Sequence, residues 1–225
     1  MLTSKRGKCL IRCVFALLVK KWIFELKPIS YKYKYEENEK MGDQLLISLC
    51  SPTLAGIKTG NLFTVDIEDR ESFCKEVRDF NYRFAGKGLR MIPVKYYEKR
   101  VLIYLYRPDF LKRDFANEEV CRVLKEKGYS YRNSDLCVAE LAKHLKQDSK
   151  FPHEIGLFLG YPVTDVLGFM KSPEEGVKYT GFWKVYGDKE SALKTFDKYK
   201  RVTEIYSMAH KKGKSLDQLA VATGA

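Results

Sequence analysis

The spacing of apolar positions changes along this chain, and the changes divide it into elements. An apolar stretch over residues 43–49 predicts a short helix, stopped by Ser51-Pro52. Residues 53–60 read as a glycine-bearing loop and residues 62–67 as a strand. Phe73, Val77 and Phe80 recur at helical spacing within residues 68–82, and Gly86 and Gly88 end that helix. Residues 89–94 and 101–106 predict two strands joined as a hairpin through residues 96–100. The second strand is apolar on both faces, with Val101, Ile103 and Leu105 alternating against Leu102, Tyr104 and Tyr106. That pattern puts it in the middle of a sheet, while Pro93 puts the first strand at an edge.

The later half is mostly helical. Helices are predicted over residues 108–115 and 118–127, the second ended by Gly128. Ser134 is expected to cap a third, with Val138, Leu141, Ala142 and Leu145 as its buried stripe. Two short helices flank Gly160-Tyr161-Pro162. Residues 177–186 alternate, with Val177, Tyr179, Trp183 and Val185 on one side, and predict a half-buried strand. Asp188 caps a long helix with the stripe Ala192, Phe196, Tyr199, Thr203 and Tyr206; Gly213 ends it, and Ser215 opens a last turn. Strands cluster early and helices late, with one strand returning near the end. The expected fold is α+β: a mainly antiparallel sheet of about four strands covered by helices.

Composition sharpens the division. The 225 residues carry a net charge of +12, and residues 1–40 hold ten Lys/Arg against four Asp/Glu. The expected organisation is therefore a basic extension over 1–40 and one α+β domain over 41–225. The longest apolar run in the extension is Val14 to Val19, far short of the ~20 residues a membrane span needs. Met41 is expected to be the natural start, with Glu36-Glu37 as translated ribosome-binding sequence; the competing reading is a basic segment lying on a membrane surface. Six cysteines occur with no C-x-x-C pair and only three histidines, so neither a zinc site nor a disulfide framework is indicated. Reduced thiols in a cytoplasm are the expectation.

The chemistry concentrates in residues 151–170, FPHEIGLFLGYPVTDVLGFM. Glycine and proline each lower helix stability, so their density in an apolar run marks a backbone path held for a purpose. His153 and Glu154 at its entrance suit acid/base work or ligation, against the plainer reading of a capped helix start. Leu157 stands where a zinc-protease helix needs its second histidine. The same segment imitates a helix-turn-helix, but its second helix offers Thr164 and Asp165 and no base before Lys171. A packed corner fits better, with nucleic acid as the rival ligand. Gly56-Ile57-Lys58-Thr59-Gly60 lacks the contiguous Gly-Lys-Ser/Thr of a phosphate loop, although Lys58 with backbone N–H groups can hold an anion. Cys50, before Ser51-Pro52-Thr53, reads as a buried thiol more readily than as a nucleophile. Trp183, Lys184 and Tyr186 offer a stacking surface or, more plainly, core.

Three segments carry a resemblance: SLCSPTLAGIKTGNLF (48–63), FPHEIGLFLGYPVTDVLGFM (151–170) and GFWKVYGD (181–188). In their order they resemble a bacterial family filed as domain of unknown function 3793, found largely in clostridia and other anaerobes. The resemblance spans roughly residues 41–221. It brings no established activity. By association with neighbouring flavodoxin and ferrous-iron uptake genes it implies an iron or redox setting, with flavodoxin or another acidic redox protein as partner. Many members carry cysteines where this chain has Tyr179, Phe182 and Val202, so a shared cysteine cluster is not intact.

The site is expected where the residue 151–170 segment, the 50–60 loop and the Trp183 strand converge. There His153 donates a proton or ligates, Glu154 orients or accepts, and Lys58 holds an anionic group. Tyr161 and Trp183 form apolar walls, and Cys50, Thr53 and Lys184 complete the ligand-binding set. No cofactor is named by these residues.

Overall fold

The computed structural model describes residues 41–147 and 151–223, so the expectations for residues 1–40 lie outside it. The chain runs α1 (Asp43–Leu54), β1 (Gly60–Asp66), α2 (Arg70–Phe84), β2 (Arg90–Tyr96), β3 (Arg100–Tyr106), α3 (Pro108–Asp114), α4 (Glu118–Glu126) and α5 (Ser134–Gln147). It continues through α6 (Ile155–Phe158), α7 (Val163–Lys171), β4 (Tyr179–Thr180), β5 (Lys184–Val185), α8 (Lys189–Lys211) and α9 (Leu216–Leu219).

Strands β1, β2 and β3 form an antiparallel sheet in the order β1-β3-β2. The doubly apolar strand β3 is central, and β2, carrying Pro93, is an edge with a register shift between Pro93 and Lys95. Alternation along β3 divides the core in two. Val101, Ile103 and Leu105 face Leu46, Cys50 and Leu54 of α1, Phe73 to Phe84 of α2, and Leu216 and Leu219 of α9. Leu102, Tyr104 and Tyr106 face a second cluster built from α3 to α7. The fold is α+β, with helices on both faces of the sheet.

Three local expectations need correction. First, α1 does not stop at Ser51-Pro52 but runs through to Leu54, with Pro52 inside it. An interior proline costs ~3 kcal/mol or more. Eight residues of α1 are buried, and Leu45, Leu46, Ile47 and Leu54 each contribute ~1.5–3 kcal/mol by leaving water, which outweighs that cost. Second, the strand expected over 177–186 is a hairpin of two two-residue strands, β4 and β5, that stays apart from the sheet. Gly181 sits against the ring of Phe196, where a side chain would collide, and its N–H bonds back to the Trp183 carbonyl at 3.0 Å. The sheet therefore has three strands, and the hairpin has its own small core of Trp183, Val185, Ala192, Phe196 and Tyr199. Third, the cap of α5 is Asn133, one residue before Ser134: its side-chain oxygen accepts from Asp135 N (3.0 Å) and Leu136 N (3.1 Å).

Candidate functional site: a cleft around Lys58 and Tyr161

The loop after α1 and the α6–α7 corner meet at Gly160. Its φ of +74° suits glycine, and a Cβ there would lie 2.6 Å from the Thr59 hydroxyl oxygen, so no larger residue fits this approach. Gly156 does the same work between α6 and α7, where a Cβ would lie 2.7 Å from Val166. The Tyr161 ring packs over Gly156 and stacks on Trp183, with ring centres 4.8 Å apart and planes at 28°. Tyr161 lines two spaces.

The larger is a cleft of about 420 Å³, with Lys58 and Thr59 on one wall, Arg113, Asp114 and Asn117 on another, and Gly160 to Val163 and Tyr199 closing it. Lys58 is only 6% exposed, and its ammonium nitrogen lies 5.4 Å from the centre of the Tyr161 ring. Among the described residues no carboxylate pairs with it. Asp114, the cleft's carboxylate, is already engaged: it accepts a hydrogen bond from the Thr59 hydroxyl and an ion pair from Arg113 at 2.8 Å. Burial pushes the Lys58 ammonium down to about 8, against a smaller opposing effect of the Cys50 sulfur. Burial also raises the phenols of Tyr161 and Tyr199, so both stay protonated at neutral pH.

The smaller space, about 50 Å³, lies behind the stack and is lined by His153, Phe169, Trp183 and Lys184 among others. His153 meets the Phe169 ring edge-on at 5.0 Å. Lys184 turns away to Glu174 (2.8 Å) and the Pro173 carbonyl (3.1 Å). Trp183 is fixed by its indole N–H, which donates to Asp165 at 2.7 Å. The other oxygen of Asp165 accepts from Tyr186 N (2.8 Å) and Gly187 N (2.7 Å).

The structure thus brings Lys58 and Tyr161 together at the cleft, and His153, Trp183 and Lys184 behind it. Glu154 does not join His153: it turns into the core and accepts from the Tyr129 hydroxyl at 3.0 Å. Cys50 is fully buried against the sheet, and burial pushes its thiol well above its ordinary value. Thr53 is also fully buried and donates to the Asn61 side chain at 2.7 Å. Neither lines the cleft. Among the described residues no three of His, Cys, Asp or Glu converge to hold a metal ion, and no helix is long and apolar enough to cross a membrane.

Four functional or architectural side chains were not among the expected site residues. Arg113, Asp114 and Tyr199 reach the cleft from α3 and α8, and no spacing rule joins them to Lys58. The fourth is Arg107, fully buried, with all five guanidinium N–H groups engaged. Nε donates to Thr53 O (2.7 Å), one terminal nitrogen to Leu54 O and Val221 O (both 2.8 Å), and the other to Lys87 O (2.8 Å) and the Thr223 hydroxyl (2.7 Å). It caps α1, whose last carbonyls carry partial negative charge, and ties the C-terminal segment beneath the cleft loop. A charge directly after the all-apolar strand and before Pro108 is the signal that could have found it.

Residues 46–220 match the family model described as protein of unknown function DUF3793. The chain belongs to that family. All three resembling segments lie within the match, and the first two supply Ile57 to Thr59 and Leu157 to Val163 of the cleft. No curated protein and no solved structure matches the chain.

Proposed function

We propose that this DUF3793 member binds a small molecule carrying a carboxylate or phosphate group on an apolar body, in the cleft between the 55–59 loop, α3 and the α6–α7 corner. The observation that carries the reading is the Lys58 ammonium: nine-tenths buried, at a cleft of ligand size, with no carboxylate of its own. A buried charge without a counter-ion is costly, and an anionic ligand relieves that cost. Arg113, whose side chain is 63% exposed, adds a second cation, and Tyr161 and Tyr199 supply flat apolar contact. The iron or redox metabolism and acidic partner implied by the family resemblance remain a proposal about setting, to which the cleft adds only the preference for an anion. Nucleic acid is the weaker occupant: α7 buries Asp165 and Val166 and leaves mainly Thr164 and Lys171 to solvent.

Ligand-observed NMR tests the reading with a set of aliphatic and aromatic carboxylates and their methyl esters. Carboxylates are expected to bind the parent protein and to lose about tenfold or more in affinity with Lys58→Met, the scale of one charge-assisted hydrogen bond. Esters should bind both proteins alike. Binding should also weaken as pH rises through about 8, where the ammonium loses its proton. Carboxylates that bind equally to Lys58→Met would end the proposal.

A further inference from the structure

We propose that Lys58 is an amine nucleophile, and that the ligand class of the cleft is an aldehyde or 2-oxo acid which Lys58 captures as an imine. This deepens the anion-binding reading and rests on it: the ammonium form draws the anion into the cleft, Arg113 then holds the carboxylate, and the neutral form of Lys58 reacts. The first argument is geometric. The amine lies beside the Tyr161 ring at a cleft large enough for a small carbonyl compound, and it is the one lysine lining that cleft among the described residues. The second is the absence, among the described residues, of a carboxylate to hold its proton: Asp114 is committed to Thr59 and Arg113. A desolvated lysine without a carboxylate partner is the usual setting for imine chemistry, because the neutral amine is the reacting form. With its ammonium at about 8, roughly a tenth of Lys58 is neutral at pH 7. For an exposed lysine the fraction is roughly a few in ten thousand.

Arg113 completes the recognition. Its Nε and one terminal nitrogen are used on Asp114, at 3.0 and 2.8 Å, which leaves its other terminal nitrogen for the carboxylate of a 2-oxo acid. The nearby thiol does not compete, since Cys50 is buried in the sheet core and held as the neutral thiol. In the proposed step the amine lone pair forms a C–N bond to the carbonyl carbon, and the oxygen becomes a hydroxyl. That hydroxyl leaves as water with a proton, the nitrogen gives up its remaining extra proton, and a C=N bond results. No electrons are gained or lost, so no oxidant or reductant is required.

The test uses the full chain with glyoxylate and cyanoborohydride at pH 7, which reduces any imine to a stable carboxymethyl amine. Peptide mass spectrometry then gives the rate at each lysine. Lys58 is expected to be labelled at least about tenfold faster than exposed Lys125, and the adduct should vanish from that peptide in Lys58→Arg. Glycolate, which has the carboxylate but no carbonyl, should slow labelling of Lys58 and leave Lys125 unchanged. Labelling of Lys58 no faster than Lys125 overturns the nucleophile, whether or not glycolate binds. Fast labelling of Lys58 that glycolate leaves unaffected supports the amine and counts against the anion anchor. Failure of both removes the two readings together.

Discussion

At the scale of single residues, two buried cations are treated in opposite ways. Arg107 has all five donors satisfied by four carbonyls and a hydroxyl, so its role is to close the end of α1 and the C-terminal segment. Arg107→Met leaves those acceptors without a donor, each costing ~1–3 kcal/mol where it stays buried. The expected loss is about 3 kcal/mol or more by urea denaturation, with residues 221–223 becoming open to carboxypeptidase. Lys58 is not satisfied, and its pH dependence shows the penalty. Its ammonium titrates at about 8 in the folded chain against an ordinary 10.5. Between those values the unfolded chain binds more protons than the folded one, so this residue makes stability rise with pH from about 8 to 10.5. Below about 8 both states are charged and the full penalty remains. Lys58→Met should therefore be more stable than the parent at pH 7, by roughly 3 kcal/mol, and the gap should close by about pH 10.5. Cys137, whose thiol burial raises to about 12 from 9.0, loses stability above about 9 in both proteins and cancels in the comparison. A gap that stays constant across that range would show that Lys58 carries no buried charge.

Among the elements, glycine decides which backbones touch. Gly168 of α7 faces the ring of Tyr186, so a Cβ there would collide and push α7 off the hairpin. Gly168→Ala is expected to cost about 1–3 kcal/mol, as overpacking does. Gly86 has nothing within 4 Å of where its Cβ would be. Gly86→Ala should be neutral or stabilise by up to about 1 kcal/mol, through the unfolded chain alone. Thermal melts of the two variants side by side check both. Asp165 joins the same elements through one indole and two backbone N–H groups. In Asp165→Asn the amide nitrogen replaces one acceptor, so either the indole N–H or the backbone pair of Tyr186 and Gly187 faces a donor. The expected result is a shift in tryptophan fluorescence that is absent in a Trp183→Phe background.

Over the whole molecule, the cleft draws its walls from three parts: the loop after α1, the helices of the second core cluster, and Tyr199 of the hairpin core. A bound ligand should brace them, so a saturating carboxylate ought to slow amide exchange in β4, β5 and the first turns of α8. Slowing confined to the 55–59 loop would mean that the ligand touches that loop alone. Much of this architecture was legible in the chain. The period-two pattern of β3 placed it centrally because each of its faces must meet a core, and Asp188, Gly213 and Ser215 marked the ends of α8 and the start of α9 through local capping chemistry. Family membership was likewise written in three short segments. The path of α1 through Pro52 was not legible, since burial against the sheet outweighed a local rule. Nor was the fold-back at Gly181, which depends on a ring fifteen residues further along. The pairing expected of His153 with Glu154 failed to form because neighbours on a tight turn point apart, one toward Phe169 and the other to Tyr129. Lys58 was visible as a lysine among glycines. That it is buried, that Asp114 is already taken, and that Arg113 and Tyr199 stand across from it depend on contacts between residues more than fifty positions apart. Local pattern determines elements because their hydrogen bonds close within a few residues; the cleft's electrostatics depend on which distant groups exclude water, and only the tertiary structure decides that.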